Sequence, residues 1–109
     1  MAEALTSGVS HVGVTVKNLE KSVAFFEAVG FKKVGGIEAY PSVFVSDGAT
    51  LITLWKAKDE SPAEFDRTKN IGLHHLAIKV PTVEALNKVY DIVSKIRSEE
   101  RRVGKECRS

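Results

Sequence analysis

At 109 residues the chain has room for one small domain with a modest core. Its 43% apolar and 28% charged content excludes a disordered chain, and no apolar run approaches the roughly 18–20 residues that span a bilayer. The net charge of +2 sits wholly in residues 97–109, because residues 1–96 balance 11 Lys/Arg against 11 Asp/Glu; the body has no basic surplus to suggest a nucleic-acid partner.

The opening MAEALTSGVS lacks a basic region followed by an apolar one, so a cytoplasmic location is expected. The single Cys107 cannot form an internal disulfide, which fits a reducing compartment.

In chain order, residues 9–16 alternate as a strand, with Val12, Val14 and Val16 on one face and His11, Gly13 and Thr15 on the other. Asn18 reads as a helix N-cap with Glu20 in the first turn. Leu19, Val23 and Phe26 follow helical spacing, and Gly30 is a stop signal. Residues 31–38 predict a second strand, with a bend or bulge at Gly35-Gly36. Residues 42–46 and 50–56 predict two more, joined by a tight turn at Asp47-Gly48. A polar loop follows over 57–71. A fifth strand is expected over 73–80, and Pro81-Thr82 opens a helix to about Ile96, with Val83, Leu86, Tyr90 and Val93 on one side.

The order β-α-β-β-β, then β-α, contains a repeat. HVGVTVKNLEKSVAFFE (11–27) lies over HLAIKVPTVEALNKVYD (75–91) at an offset of 64 without a gap. His11 falls on His75, Val16 on Val80 and Glu20 on Glu84. A rare residue type recurs in one pleat phase, which shared apolar periodicity does not explain. His74 falls on Ser10 and is expected on the opposite face. The face carrying His11, Gly13 and Thr15, and by the repeat His75, Ala77 and Lys79, is small or polar. That composition suits a ligand-accessible cavity better than a core.

These residues resemble the vicinal oxygen chelate superfamily, which includes glyoxalase I, extradiol dioxygenases, epimerases and bleomycin-resistance proteins. HVGVTVKNLEKSVAFFEAVGFKKVGG is similar to its opening and GLHHLAIKVPTVEAL to its mid-chain strand, so the resemblance covers about residues 8–96. It implies an α+β fold of paired βαβββ modules facing each other as a cup around a divalent metal (Fe, Zn, Ni or Mn). The metal-ligand positions of the family match His11 and His75. Glyoxalase-type members often add a carboxylate from the fourth strand; the matching residue here is Thr53, a poor ligand beside a carboxylate. The acid of a two-His-one-carboxylate triad would fall near position 117 by the repeat, past the last residue. Trp55 and Phe44 are candidates to line the cup, and Thr53 and Trp55 to touch substrate. Arg67 is a candidate partner for an anionic substrate.

The run RSEERRVGKECRS shows no helical or strand periodicity. It resembles the conceptual translation of a common sequencing adapter, which would make 97–109 a non-native tail and cut the reading frame near Ile96. The expected organisation is a first module with its connecting loop over 1–70 and the start of a second over 71–96. The resemblance implies a metal-dependent enzyme of lyase or ring-cleaving dioxygenase type for the complete parent, acting on a small-molecule substrate. A metal-free binding protein of the bleomycin-resistance type is the alternative that Thr53 motivates. On either reading a homodimer is an admissible assembly, and neither nucleic acid nor membrane is expected as a partner. The truncated chain itself is expected to be inactive, with an unpaired edge at 73–80 that invites association.

Overall fold

A computed structural model describes residues 3–59, 63–66 and 68–108, with 100–108 as backbone alone. The chain divides into two units, Met1–Lys58 and Asp59–Ser109.

In the first unit, β1 (Val12–Val16) keeps the expected alternation: Val12, Val14 and Val16 are half-buried, and Gly13 and Thr15 are exposed. It begins three residues later than expected. Its ladder starts at Val12↔Ile52, one residue into β4, and Val9, upstream of it, is exposed. The helix α1 (Leu19–Ala28) starts as the sequence indicates: the Asn18 side chain accepts the Lys21 N–H at 3.1 Å. It ends through Val29 and Gly30, whose N–H groups donate to Phe26 and Glu27 carbonyls. The reversal carries Phe31 beneath Phe26, with ring centroids 5.1 Å apart.

Three strands follow: β2 (Lys32–Ile37), β3 (Ser42–Ser46) and β4 (Leu51–Lys56). The sheet order is β1-β4-β3-β2, with β1 parallel to β4 and the other pairs antiparallel. The expected bulge is present, as a register shift between Lys33 and Gly35. At Gly36 a Cβ would stand 2.5 Å from the Ser42 carbonyl oxygen, so the β2–β3 approach there requires glycine. The β3–β4 turn is closed by Asp47, whose carboxylate accepts the Ala49 and Thr50 N–H groups at 2.9 and 2.7 Å. Those bonds, Thr50 first, hold its carboxyl below the usual carboxylate range.

The core sits where α1 covers the two central strands. Phe31, Val45, Ile52 and Leu54 are buried, and Val14, Val16, Leu19, Val23, Phe26, Val29 and Val43 pack against them. Fully burying each such side chain contributes roughly 1.5–3 kcal/mol. Both edge strands contribute less; β2 leaves Val34 and Ile37 exposed and carries Lys32 and Lys33, which discourage edge pairing.

The second unit departs from expectation. Residues 73–80 form no strand: no ladder pairs them among the described residues, and 73–79 are exposed. A strand needs a neighbour's N–H and C=O groups, and apolar alternation alone does not supply them. The helix α2 (Val83–Arg108) opens as expected, with the Thr82 hydroxyl accepting the Ala85 N–H at 3.0 Å. It then runs past Ile96 through the segment read as lacking periodicity. Arg, Glu and Lys there are good helix formers, no proline intervenes, and Gly104 alone does not stop the helix. The apolar stripe of α2 stays exposed at Val83, Leu86 and Tyr90. Among the described residues no helix is long and apolar enough to cross a membrane.

Candidate functional site

The sheet has one covered face and one open face. Strand alternation and register put Gly13, Thr15, Phe44, Thr53 and Trp55 together on the open one, opposite the core set Val14, Val45, Ile52 and Leu54. Thr53 is the buried member, at 5% exposure. Its Oγ1 accepts the Trp55 indole Nε1–H at 2.9 Å and lies 3.5 Å from the Val12 carbonyl oxygen. Gly13, beside Thr53 on β1, leaves room for this: a Cβ there would lie 3.1 Å from Thr53 Oγ1 and 3.6 Å from Trp55 Nε1.

The indole held by Thr53 organises its neighbours. Tyr40 meets it nearly edge-on, with centroids 5.2 Å apart and planes at 80°. Phe44 tilts against it at 5.8 Å. Beyond Tyr40, the Lys58 ammonium lies 4.7 Å from the phenol centroid. Phe44 and Trp55 were candidates from the sequence. Tyr40 was not, because it falls in the β2–β3 turn; the signal that reveals it is the register Ser42↔Trp55, which brings a turn aromatic alongside the indole.

The histidines are placed differently from expectation. His11 lies one residue before β1, exposed, with its Nδ1 3.2 Å from Ser10 Oγ. His74 and His75 do not diverge. Their Nδ1 atoms are 2.8 Å apart and their rings 5.1 Å apart, so the two side chains meet. Opposite facing is imposed by a pleated ladder, and residues 73–80 have none. His11 belongs to the first unit and His75 to the second. Arg67 lies outside the described residues. The Asp66 carboxylate accepts the Thr68 hydroxyl at 2.7 Å and the Thr68 and Lys69 N–H groups at 2.8 and 3.2 Å. The Thr68 hydroxyl is the main reason its carboxyl is held below the usual range.

A βαβββ sheet with one helix-covered face and one open face is the architecture the sequence pattern implied. A family model of the glyoxalase/bleomycin resistance protein/dioxygenase superfamily matches residues 8–106. The chain belongs to this superfamily. A crystal structure of a glyoxylase/bleomycin resistance protein/dioxygenase domain from Frankia sp. EAN1pec is similar, at 26% identity and a TM-score of 0.73, over 84% of this chain and 70% of that one. A search of curated proteins finds no match.

Superfamily membership raises the question of a metal, and the donor chemistry of the first unit answers for that unit. Its one imidazole is His11. The hydroxyl at the fourth-strand ligand position, Thr53, is already engaged by the indole N–H. Among the described residues no group of three His, Cys, Asp or Glu side chains is placed to hold an ion. The residues of Met1–Lys58 therefore do not fit a metal by themselves.

Proposed function

We propose that the protein binds a small molecule on the open face of its first module, as a metal-independent binding member of the superfamily. One observation carries this reading. At the position where a metal-holding relative would place a carboxylate, Thr53 instead ties down Trp55 and so presents a fixed aromatic surface. A hydroxyl buried in that bond is a poor ligand, whereas an indole with a satisfied N–H is a good contact for an apolar or planar molecule.

Fragment screening by NMR in the presence of EDTA tests it. Binders are expected to shift the Trp55 indole Nε1–H resonance, and the assignment is direct because the chain has one tryptophan. Fragments that bind only after metal is added would overturn the metal-independent reading.

A second reading rests on the repeat that sets His11 on His75. In it the protein is a lyase or ring-cleaving dioxygenase in which His11 and His75 would hold a divalent ion. When bound, that ion supplies chelation of two adjacent substrate oxygens. Metal analysis of the protein separates the two readings. Stoichiometric metal that is lost in His11→Ala and His75→Ala favours the enzyme, and no bound metal favours the binder.

A further inference from the structure

A second feature of the first unit involves neither histidine. At one end of the sheet a cavity of about 270 Å3 is lined by Ala39, Tyr40, Pro41, Lys56, Ala57 and Lys58. Its frame is hydrogen-bonded: the Lys56 N–H donates to the Pro41 carbonyl at 3.0 Å, and the Ala57 N–H to the Val16 carbonyl at 2.9 Å. Its aromatic wall is Tyr40, backed by Trp55, which Thr53 holds in turn. Among the described residues the lining brings two ammonium groups and no carboxylate, and one of them, on Lys58, already sits over the phenol ring.

We propose that this cavity is a binding site for a small planar organic anion, with a single ring against Tyr40 and its carboxylate between Lys56 and Lys58. The volume sets the size, because it is at the lower end of ligand pockets and admits one ring. The phenol supplies a flat apolar surface that favours an unsaturated ring over a puckered one. The ammonium pair supplies the charge preference; the Lys58 ammonium leaves the phenol face, where it sits 4.7 Å from the centroid, to admit the ring and meet its carboxylate. Thr53 and Trp55 are positioning residues here: they fix the wall without touching the ligand.

Benzoate is the probe, titrated into the 109-residue chain with EDTA present and followed by Trp55 fluorescence and calorimetry. Benzoate is expected to bind at least about threefold tighter than cyclohexanecarboxylate and about tenfold tighter than benzyl alcohol. The double variant Lys56→Met/Lys58→Met is expected to weaken benzoate at least about threefold while leaving benzyl alcohol unchanged. Both side chains are exposed, so the fold is expected to persist, and the three-ligand comparison on the unaltered chain does not depend on any variant. Absence of benzoate binding, benzyl alcohol binding as tightly as benzoate, or indifference of benzoate to loss of both lysines would overturn the proposal.

Discussion

Residues 12–16 and 76–80 carry the same apolar alternation, each just after a histidine, yet only the first becomes a strand. The difference lies in what each segment meets. β1 pairs with β4 along its whole length and packs Val14 and Val16 against the core. Residues 76–80 pair with nothing among the described residues, and Leu76 and Ile78 remain exposed. A pleat is a property of a pair of chains, so side-chain direction follows the phase of the sequence only once a partner has fixed it. That is why the adjacent histidines meet instead of facing apart.

The largest effect that sharpens this contrast is in the hydrophobic positions. Leu54→Ala is expected to cost about 2–5 kcal/mol by urea denaturation, because Leu54 is fully buried in a small core. Ile78→Ala in the unpaired segment is expected to change stability by less than about 0.5 kcal/mol. Equal costs would mean that 76–80 is packed like β1.

A middling effect comes from two crowded glycines. A Cβ at Gly36 would meet the Ser42 backbone oxygen at 2.5 Å, and one at Gly72 would meet the Phe65 ring at 2.7 Å. A backbone atom of the paired sheet cannot yield, whereas a half-exposed ring can swing away. Gly36→Ala is therefore expected to lower stability by about 1–3 kcal/mol, and Gly72→Ala by much less, on the same urea midpoints.

The two helix caps give a smaller contrast. Asn18→Ala is expected to destabilise the cooperative unfolding of the first unit by about 1 kcal/mol, since α1 is tied to the core. Thr82→Ala removes an equivalent bond from a helix whose apolar stripe is exposed; it is expected to reduce helicity by circular dichroism without moving that transition.

The smallest effect is a pH dependence. Both Asp47 and Asp66 have carboxyls held below their ordinary value by hydrogen bonds. Their contribution is complete above the unfolded value of about 3.9 and is lost as the pH falls through the lower folded value. Acid titration is expected to loosen the β3–β4 turn through Asp47 and to register in the melting of the sheet. Asp66 closes a loop of the other unit, and Asp66→Asn is expected to leave that melting curve unchanged.

The parts of the fold legible in the sequence are those set by local chemistry. The Asn18 and Thr82 caps, the Asp47-Gly48 turn, the bulge at Gly35-Gly36 and the valine face of β1 all depend on neighbours within a few residues. The strand expected over 73–80 is absent because a strand forms only against a partner, which local alternation does not supply. The helix α2 extends past Ile96 because a polar helix needs no apolar face when its residues favour helix and nothing stops it. In the site, Thr53 and Trp55 were identifiable as candidates, but the bond that joins them was not. It requires both residues on one face of β4 and a residue without a side chain opposite, a relation that appears only once β1 and β4 are in register.

Hydrogen exchange resolved to single amides tests the central contrast most directly. The amides that bond within the β1–β4 and β3–β4 ladders are expected to be protected up to the global unfolding free energy, while those of 73–80 exchange at the rate of an unstructured peptide. Protection across 75–80 comparable to that of β1 would contradict the account, since it would require a partnered strand, a fixed pleat and a defined direction for His75.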